Sequence, residues 1–361
     1  LETIAKMADV ERMMDRRGQV AADDALQAYV ASVAEPLIPA TFRDPRLTIR
    51  FKLHRAAEPN AFALPNGSIY ISLGLLAQLE NEAQVAAVLA HEIAHVTRYH
   101  AFQFDRDYRS TAVMVNLLGL GAAVVGGWGA LLTQVGLESL AVGALYGYSR
   151  DLEEESDRLA LTAVAAGGYD PGQIPALFRR LMIDYDGTHI EAPLFYSDHP
   201  KLQSRIEYTT RQIRERHLNE DPSQAKVAEY QPFRYRGARE AVRLAIRDGL
   251  PRTAIAWAAE MVRQEPRTAE THYLKAEAHR ALGYRPQDLL TNPPTKEQKQ
   301  REASKKRKKT PSEMEAELAA TPQGRIEWKK NSEAALAEFT AAIECDPAFL
   351  PAHAGMAQLL A

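Results

Sequence analysis

Apolar residues recur at helical spacing through 1–35, as Met7, Val10 and Met14 and then Ala25, Tyr29 and Val33, and Pro36 and Pro39 close the segment. The period then changes. LTIRFKLHR (47–55) alternates apolar and polar positions and predicts a strand, and NAFALPNGSIYISLGLL (60–76) predicts two short strands turning at Pro65-Asn66-Gly67. Helical spacing returns from about Glu80 to Arg106. Another helix is predicted over 149–168, acidic at its start and stopped by Gly167-Gly168. A short helix over 172–186, a loop over 187–200 and a helix from Lys201 to about Leu218 complete a first domain, 1–218. Polar residues and Pro222 predict a linker over 219–236.

Beyond residue 237 the strand patterns vanish and the chain reads as Ala-rich helices. TAIAWAAEMVRQEP (253–266) and AALAEFTAAIECDP (334–347) share one spacing, Ala254, Ala258, Met261, Pro266 against Ala335, Phe339, Ala342, Pro347. That spacing resembles the second helix of a tetratricopeptide repeat, and THYLKAEAHRALGY (271–284), with Ala276 and Gly283, resembles the first. The region 237–361 therefore predicts a tetratricopeptide-like domain. A basic insertion is expected at about 286–332, where 295–309 carries eight basic residues against two acidic ones and reads as disordered. The fold class expected for the whole is α+β, mainly helical, with a small sheet in the first domain and an all-α second domain.

Composition narrows the function classes. With 361 residues and 46% hydrophobic content the chain can bury two cores. A net charge of −3 argues against a general polyanion binder, and no aromatic residue interleaves KKRKK (305–309), so no nucleic-acid partner is expected. The single cysteine, Cys345, excludes an intrachain disulfide and a Cys-rich metal site. The chain opens at Leu1 without a basic segment leading into an apolar one, so any targeting segment is expected to lie outside it.

The chemistry centres on HEIAH (91–95). On a helix, positions i and i+4 point the same way, so His91 and His95 can share one metal ion while Glu92, on an adjacent face, takes a proton from a water. Zinc in a catalytic site needs a third protein ligand and an open position. His100, five residues past His95, would fall on another face of one continuous helix. The acidic cluster Asp151, Glu153, Glu154, Glu155 and Asp157 offers an alternative. Glu153 and Asp157 are four apart and face one way, so Glu153 can bind the metal while Asp157 accepts the free N–H of a ligand histidine, His91. The same cluster would also suit an ordinary helix start, where carboxylates are favoured.

Four segments in order, NAFALPNGSIYISLGLL, AVLAHEIAHV, YSRDLEEESDRLAL and DHPKLQSRI, resemble the signature segments of the HtpX/Ste-type gluzincin metallopeptidases. Within that family the chain is most similar to the BepA-like periplasmic branch, which carries a C-terminal tetratricopeptide domain. The resemblance covers most of 1–215. It implies one Zn2+ per chain held by His91, His95 and Glu153, Glu92 as general base and Asp157 supporting a ligand. Ser156 stands where the family usually has Ala. The resemblance also implies a role for His199, Pro200 and Arg205: His199 as a fourth zinc ligand or a group on the transition state, Arg205 as a loop anchor or electrostatic group. The strand Asn60, Ala61, Phe62 and Ala63 would present an edge that holds a peptide in extended form.

Between the ligand segments, Glu138 is the sole charged residue of 110–149, and Ser110–Leu137 is long enough to cross a bilayer once. His95 and Glu153 must meet at one metal, which excludes a single crossing. Five glycines between 119 and 129 weaken a long helix. The expectation is an apolar helical hairpin over the site or against a membrane surface. The function expected is a zinc metalloendopeptidase acting on misfolded or misassembled envelope proteins, in outer-membrane protein quality control, located in the periplasm. Its partners would be protein or peptide substrates and, through the repeat domain, the outer-membrane assembly machinery. The alternative is a latent protease acting mainly as a chaperone or adaptor.

Overall fold

In the computed structural model the described residues are 2–103, 148–188, 202–284 and 322–360. They form a mainly helical protein with one three-stranded sheet. Helix α1 (Glu2–Arg16) and α2 (Asp24–Ala34) precede strand β1 (Arg50–His54). β2 (Ala61–Ala63) and β3 (Ser68–Ser72) follow, then α3 (Leu73–Gln78) and α4 (Glu82–Thr97). Next come α5 (Arg150–Ala166), α6 (Gln173–Thr188), α7 (Leu202–Glu215) and α8 (Val227–Arg247). The remainder is α9 (Pro251–Gln264), α10 (Ala269–Tyr284), α11 (Pro322–Cys345) and α12 (Leu350–Leu360).

The sheet has the order β1-β3-β2, with β1 parallel to β3 and β2 antiparallel to it. The turn between β2 and β3 uses the chemistry of its residues. The Asn66 side chain accepts the Ser68 N–H at 3.1 Å, and Gly67 stands at φ 91, where a Cβ would lie 2.7 Å from the Thr48 carbonyl oxygen. Against this sheet α1 buries the stripe its spacing predicts: Met7, Val10 and Met14 pack with Phe62, Leu64 and Tyr70. β3, the central strand of the sheet, is buried on both faces.

Helix α4 is covered all round, every residue from Glu82 to Val96 being buried. Such a helix must satisfy its polar groups internally. Its start is capped by Asn81, whose side chain accepts the Gln84 N–H at 3.0 Å. Glu82 in its first turn accepts the hydroxyls of Tyr29 and Tyr169, each at 3.0 Å, and the Lys226 ammonium at 3.2 Å. α4 packs along α5 and also touches α2, α6 and β2.

The chain divides into two compact units, Leu1–Gly237 and Ala238–Ala361, and the division falls inside α8. The stretch expected as a linker, 219–236, is instead structured: Pro222–Ala225 make a 3-10 turn and α8 starts at Val227. Burial explains the difference. Tyr230 and Arg234 are buried, and they donate to the carbonyls of Leu76 and Ala77 at the end of α3, groups a helix terminus leaves without internal partners.

The second unit is all-helical where described. Phe339 is enclosed by Ala276, Ala335, Ala342 and Ala352. Gly355 lies so close that a Cβ there would be 2.5 Å from its ring. The basic insertion expected to reach residue 332 gives way earlier, since α11 begins at Pro322. The run 305–309 lies outside the described residues, as do 104–147, which hold nearly all of the expected apolar hairpin, and His199 with Pro200. Among the described residues, no helix is long and apolar enough to cross a membrane.

Candidate metal centre

Two helices build the centre. α4 projects His91 and His95 from successive turns of one face, and α5, in its first turn, brings Glu153 to them. His91 Nε2 stands 3.0 Å from His95 Nε2 and 3.4 Å from Glu153 Oε2, and His95 Nε2 stands 3.5 Å from Glu153 Oε1. Three ligand atoms placed about 2 Å from one tetrahedral ion are separated by roughly 3.3 Å. The two imidazole nitrogens meet that spacing, the Glu153 carboxylate turns one oxygen toward each of them, and all three side chains are buried with a ligand atom of each within 4.8 Å of the others. Three lone-pair donors converge here, two imidazole nitrogens and a carboxylate, and this N/O set suits zinc.

Glu92, 1% exposed, sits between the two histidines on α4. Behind His91, its Nδ1 meets Asp157 Oδ1 at 3.0 Å. Asp157 is gripped by the Arg205 guanidinium through Nε at 2.9 Å and Nη2 at 2.6 Å. Arg205 Nη2 is also 3.2 Å from His91 Nδ1, but an Nδ1–H that donates to the Asp157 carboxylate has no lone pair left for an arginine N–H, so that approach is a contact and not a hydrogen bond. The guanidinium lies over the Phe178 ring, 4.2 Å from its centroid, and its Nη1 is 3.5 Å from Glu153 Oε2. Arg205 thus stands among the carboxylates behind the ligands, as a counter-charge to both.

The electrostatics follow from this packing. Burial pushes the Asp157 carboxyl up, but the Arg205 charge and hydrogen bonds, joined by His91, outweigh it and hold the carboxyl below its ordinary value. For His91 without a metal, burial and the Arg205 charge press the imidazole down, while Asp157 and Glu153 lift it further, to about 9. A proton and a metal ion therefore compete for the same nitrogen.

β2 is an outer strand of the sheet. Asn60 and Ser72 exchange bonds at its head: Asn60 N–H donates to Ser72 Oγ at 2.9 Å and Ser72 N–H to the Asn60 carbonyl at 2.8 Å. Ala61 pairs with Ile71, and Phe62 stacks on Tyr70 at 5.0 Å. Ala63 and Leu64 line a small cleft together with His95, Tyr99, Phe102 and Tyr148. The outer strand thus borders the metal centre. His199 lies outside the described residues.

Two residues near the centre escape sequence reasoning. Tyr148 stacks on the His95 ring, centroids 4.3 Å apart. His100 is fully buried with its Nδ1 3.0 Å from His95 Nδ1. The expectation that His100 sits on another face of a continuous helix fails because α4 ends at Thr97. Tyr99 takes φ 58, the chain turns back, and a new helical turn starts at His100. The signal for this would have been a left-handed residue, and tyrosine does not announce one.

The family model for Peptidase family M48 matches residues 24–213. The mitochondrial metalloendopeptidase OMA1 of Schizosaccharomyces pombe is 31% identical over 160 residues, covering 44% of this chain and 45% of that protein. The beta-barrel assembly-enhancing protease of Yersinia pestis is 26% identical over 198 residues, covering 54% of this chain and 40% of that protein. Its Escherichia coli K12 counterpart is 26% identical over 187 residues, covering 51% and 38%. The chain spans less than half the length of these curated relatives.

Proposed function

The chain belongs to peptidase family M48, and on that premise we propose that it is a metalloendopeptidase in which His91, His95 and Glu153 hold one catalytic zinc ion, with Glu92 as its general base. The observation that carries this is the convergence of three buried ligand side chains, each offering one ligand atom within 4.8 Å of the others. When bound, zinc supplies Lewis-acid polarisation of the scissile carbonyl and makes a water acidic enough to attack at neutral pH. Glu92 receives the proton of that water and passes it to the leaving amine. Asp157 keeps the His91 proton on Nδ1, which leaves Nε2 free to bind metal, and Arg205 keeps Asp157 ionised and in place. We assign Arg205 to this anchoring rather than to the transition state. β2 offers its outer edge to an extended peptide, which Asn60, Ala61, Phe62 and Ala63 would line.

The relatives named for beta-barrel assembly support a substrate class of misassembled envelope proteins, and with it a periplasmic location. The small-residue packing around Phe339 supports a tetratricopeptide-like second domain that would present a surface to a protein partner. The relatives named above are all proteases, and none favours the chaperone or adaptor reading. The deciding experiment is Glu92→Gln. It should retain zinc and lose at least about 10²-fold in cleavage of an unfolded protein. Cleavage by that variant at the wild-type rate, in a preparation free of other proteases, would overturn the assignment.

A further inference from the structure

The two histidines of the centre are supported differently. His91 leans directly on a carboxylate, Asp157. On His95 the Nδ1 meets a second imidazole, His100 Nδ1, at 3.0 Å. On its far side His100 Nε2 faces Glu155 Oε2 at 3.4 Å, and Glu155 in turn accepts the Arg98 Nε–H at 2.7 Å. The Ser156 hydroxyl lies 3.3 Å from His100 Nδ1, and Arg158 Nη2 is 4.0 Å from Glu155 Oε1.

Proton placement in this chain is constrained. If His95 Nε2 is to carry a lone pair toward the metal, its proton must sit on Nδ1. His100 Nδ1 must then accept, so the His100 proton sits on Nε2 and points at the Glu155 carboxylate. Each position has one consistent assignment, and it ends on an acceptor held by arginine. A buried histidine of the ordinary kind needs no such order. It also needs no left-handed tyrosine before it, and Tyr99 stands at φ 58, a conformation unfavourable for a residue with a Cβ.

We propose that His100 and Glu155 form a second orienting arm of the metal centre, in which His95 donates Nδ1–H to His100 and His100 donates Nε2–H to Glu155, fixing the ring and tautomer of His95. His100 is a positioning residue and Glu155 its anchor. The arm parallels Asp157 and Arg205 behind His91, with one imidazole interposed. Because the carboxylate acts at one remove, loss of His100 costs more than loss of Glu155.

The inference rests on the zinc-centre reading above. The test uses the full chain and measures zinc retention against a competing chelator, together with the visible absorption of the cobalt-substituted protein. Metal-free circular dichroism and melting confirm that each variant folds. His100→Ala should weaken zinc retention about 10- to 100-fold and shift the cobalt bands, and Glu155→Gln should weaken it several-fold less. His100→Asn, whose Oδ1 replaces the acceptor without the link to Glu155, should recover part of the loss. Zinc retention by His100→Ala within about two-fold of wild type, with unchanged cobalt bands, would overturn the arm. If His100→Ala fails to fold, Glu155→Gln decides: zinc retention and cobalt bands both unchanged from wild type in that variant would overturn the arm. His91→Ala separates the two failures: wild-type retention in that variant sinks the zinc-centre reading itself, and loss in His91→Ala but not in His100→Ala sinks only the arm.

Discussion

Arg205 shows how much of this centre depends on groups that never touch a substrate. It is 3% exposed, and its charge is balanced by Asp157 at 2.6 Å and Glu153 at 3.5 Å. Removing one member of a buried ion pair leaves an uncompensated charge, a loss of about 3–5 kcal/mol. Arg205→Met should therefore destabilise the protein by about that amount in denaturant unfolding, and adding Asp157→Asn should restore part of it. A loss below about 1 kcal/mol would mean that the pair is not the buried one described. At this scale the sequence was legible wherever a helical period fixed direction. His91 and His95 at i and i+4, and Glu153 and Asp157 at i and i+4, fall as that period requires. Arg205 followed only from a resemblance, because nothing in a helix start 48 residues beyond Asp157 says which carboxylate it will meet. His100 was misplaced because one left-handed residue, Tyr99, ended the period between it and His95.

Among the elements, β1 carries a consequence for pH. Its last residue, His54, is buried beside Phe62, with Val20 bridged to it from outside the sheet. Burial pushes its imidazole down to about 4, below the ordinary value of 6.5. The unfolded chain therefore binds this proton more readily than the folded one as pH falls. Stability from His54 is complete above about 6.5, declines below it, and is lost by about 4, an effect of roughly 3 kcal/mol. Unfolding measured in chelator at pH 7 and at pH 4.5 should show a smaller pH-dependent loss for His54→Gln than for the wild type. Equal slopes would place the pH dependence elsewhere. β1 to β3 were readable from alternation and from Pro65-Asn66-Gly67, because turn residues and period act locally. α8 was not. Its start looked polar, and the partners that order it, Leu76 and Ala77, lie about 150 residues earlier in the chain.

Taken whole, the protein is two units, and the proposed metal ligands all belong to the first. A metal bound by the folded state alone stabilises that unit by mass action, about 4 kcal/mol when free metal is a thousand times its Kd. For a unit of this size that corresponds to roughly 8–16 °C in unfolding temperature. Calorimetry with and without chelator should show the first unit's transition falling by such an amount and that of the second unit unmoved. A thermogram indifferent to chelator would contradict a structural contribution from the metal. The broad division into a mixed first unit and an all-helical second one was legible because strand patterns stop before residue 80. Its boundary, Gly237 to Ala238, lies within one residue of the expected start at 237, but that it falls inside the continuous helix α8 was not legible.

The central claim is that one zinc ion is held by His91, His95 and Glu153. The most direct measurement is anomalous difference density at the zinc absorption edge from a crystal of the full chain. One peak per chain is predicted, within bonding distance of His91 Nε2, His95 Nε2 and a Glu153 carboxylate oxygen. Zinc-loaded crystals with no peak there, or with the peak on other side chains, would contradict it.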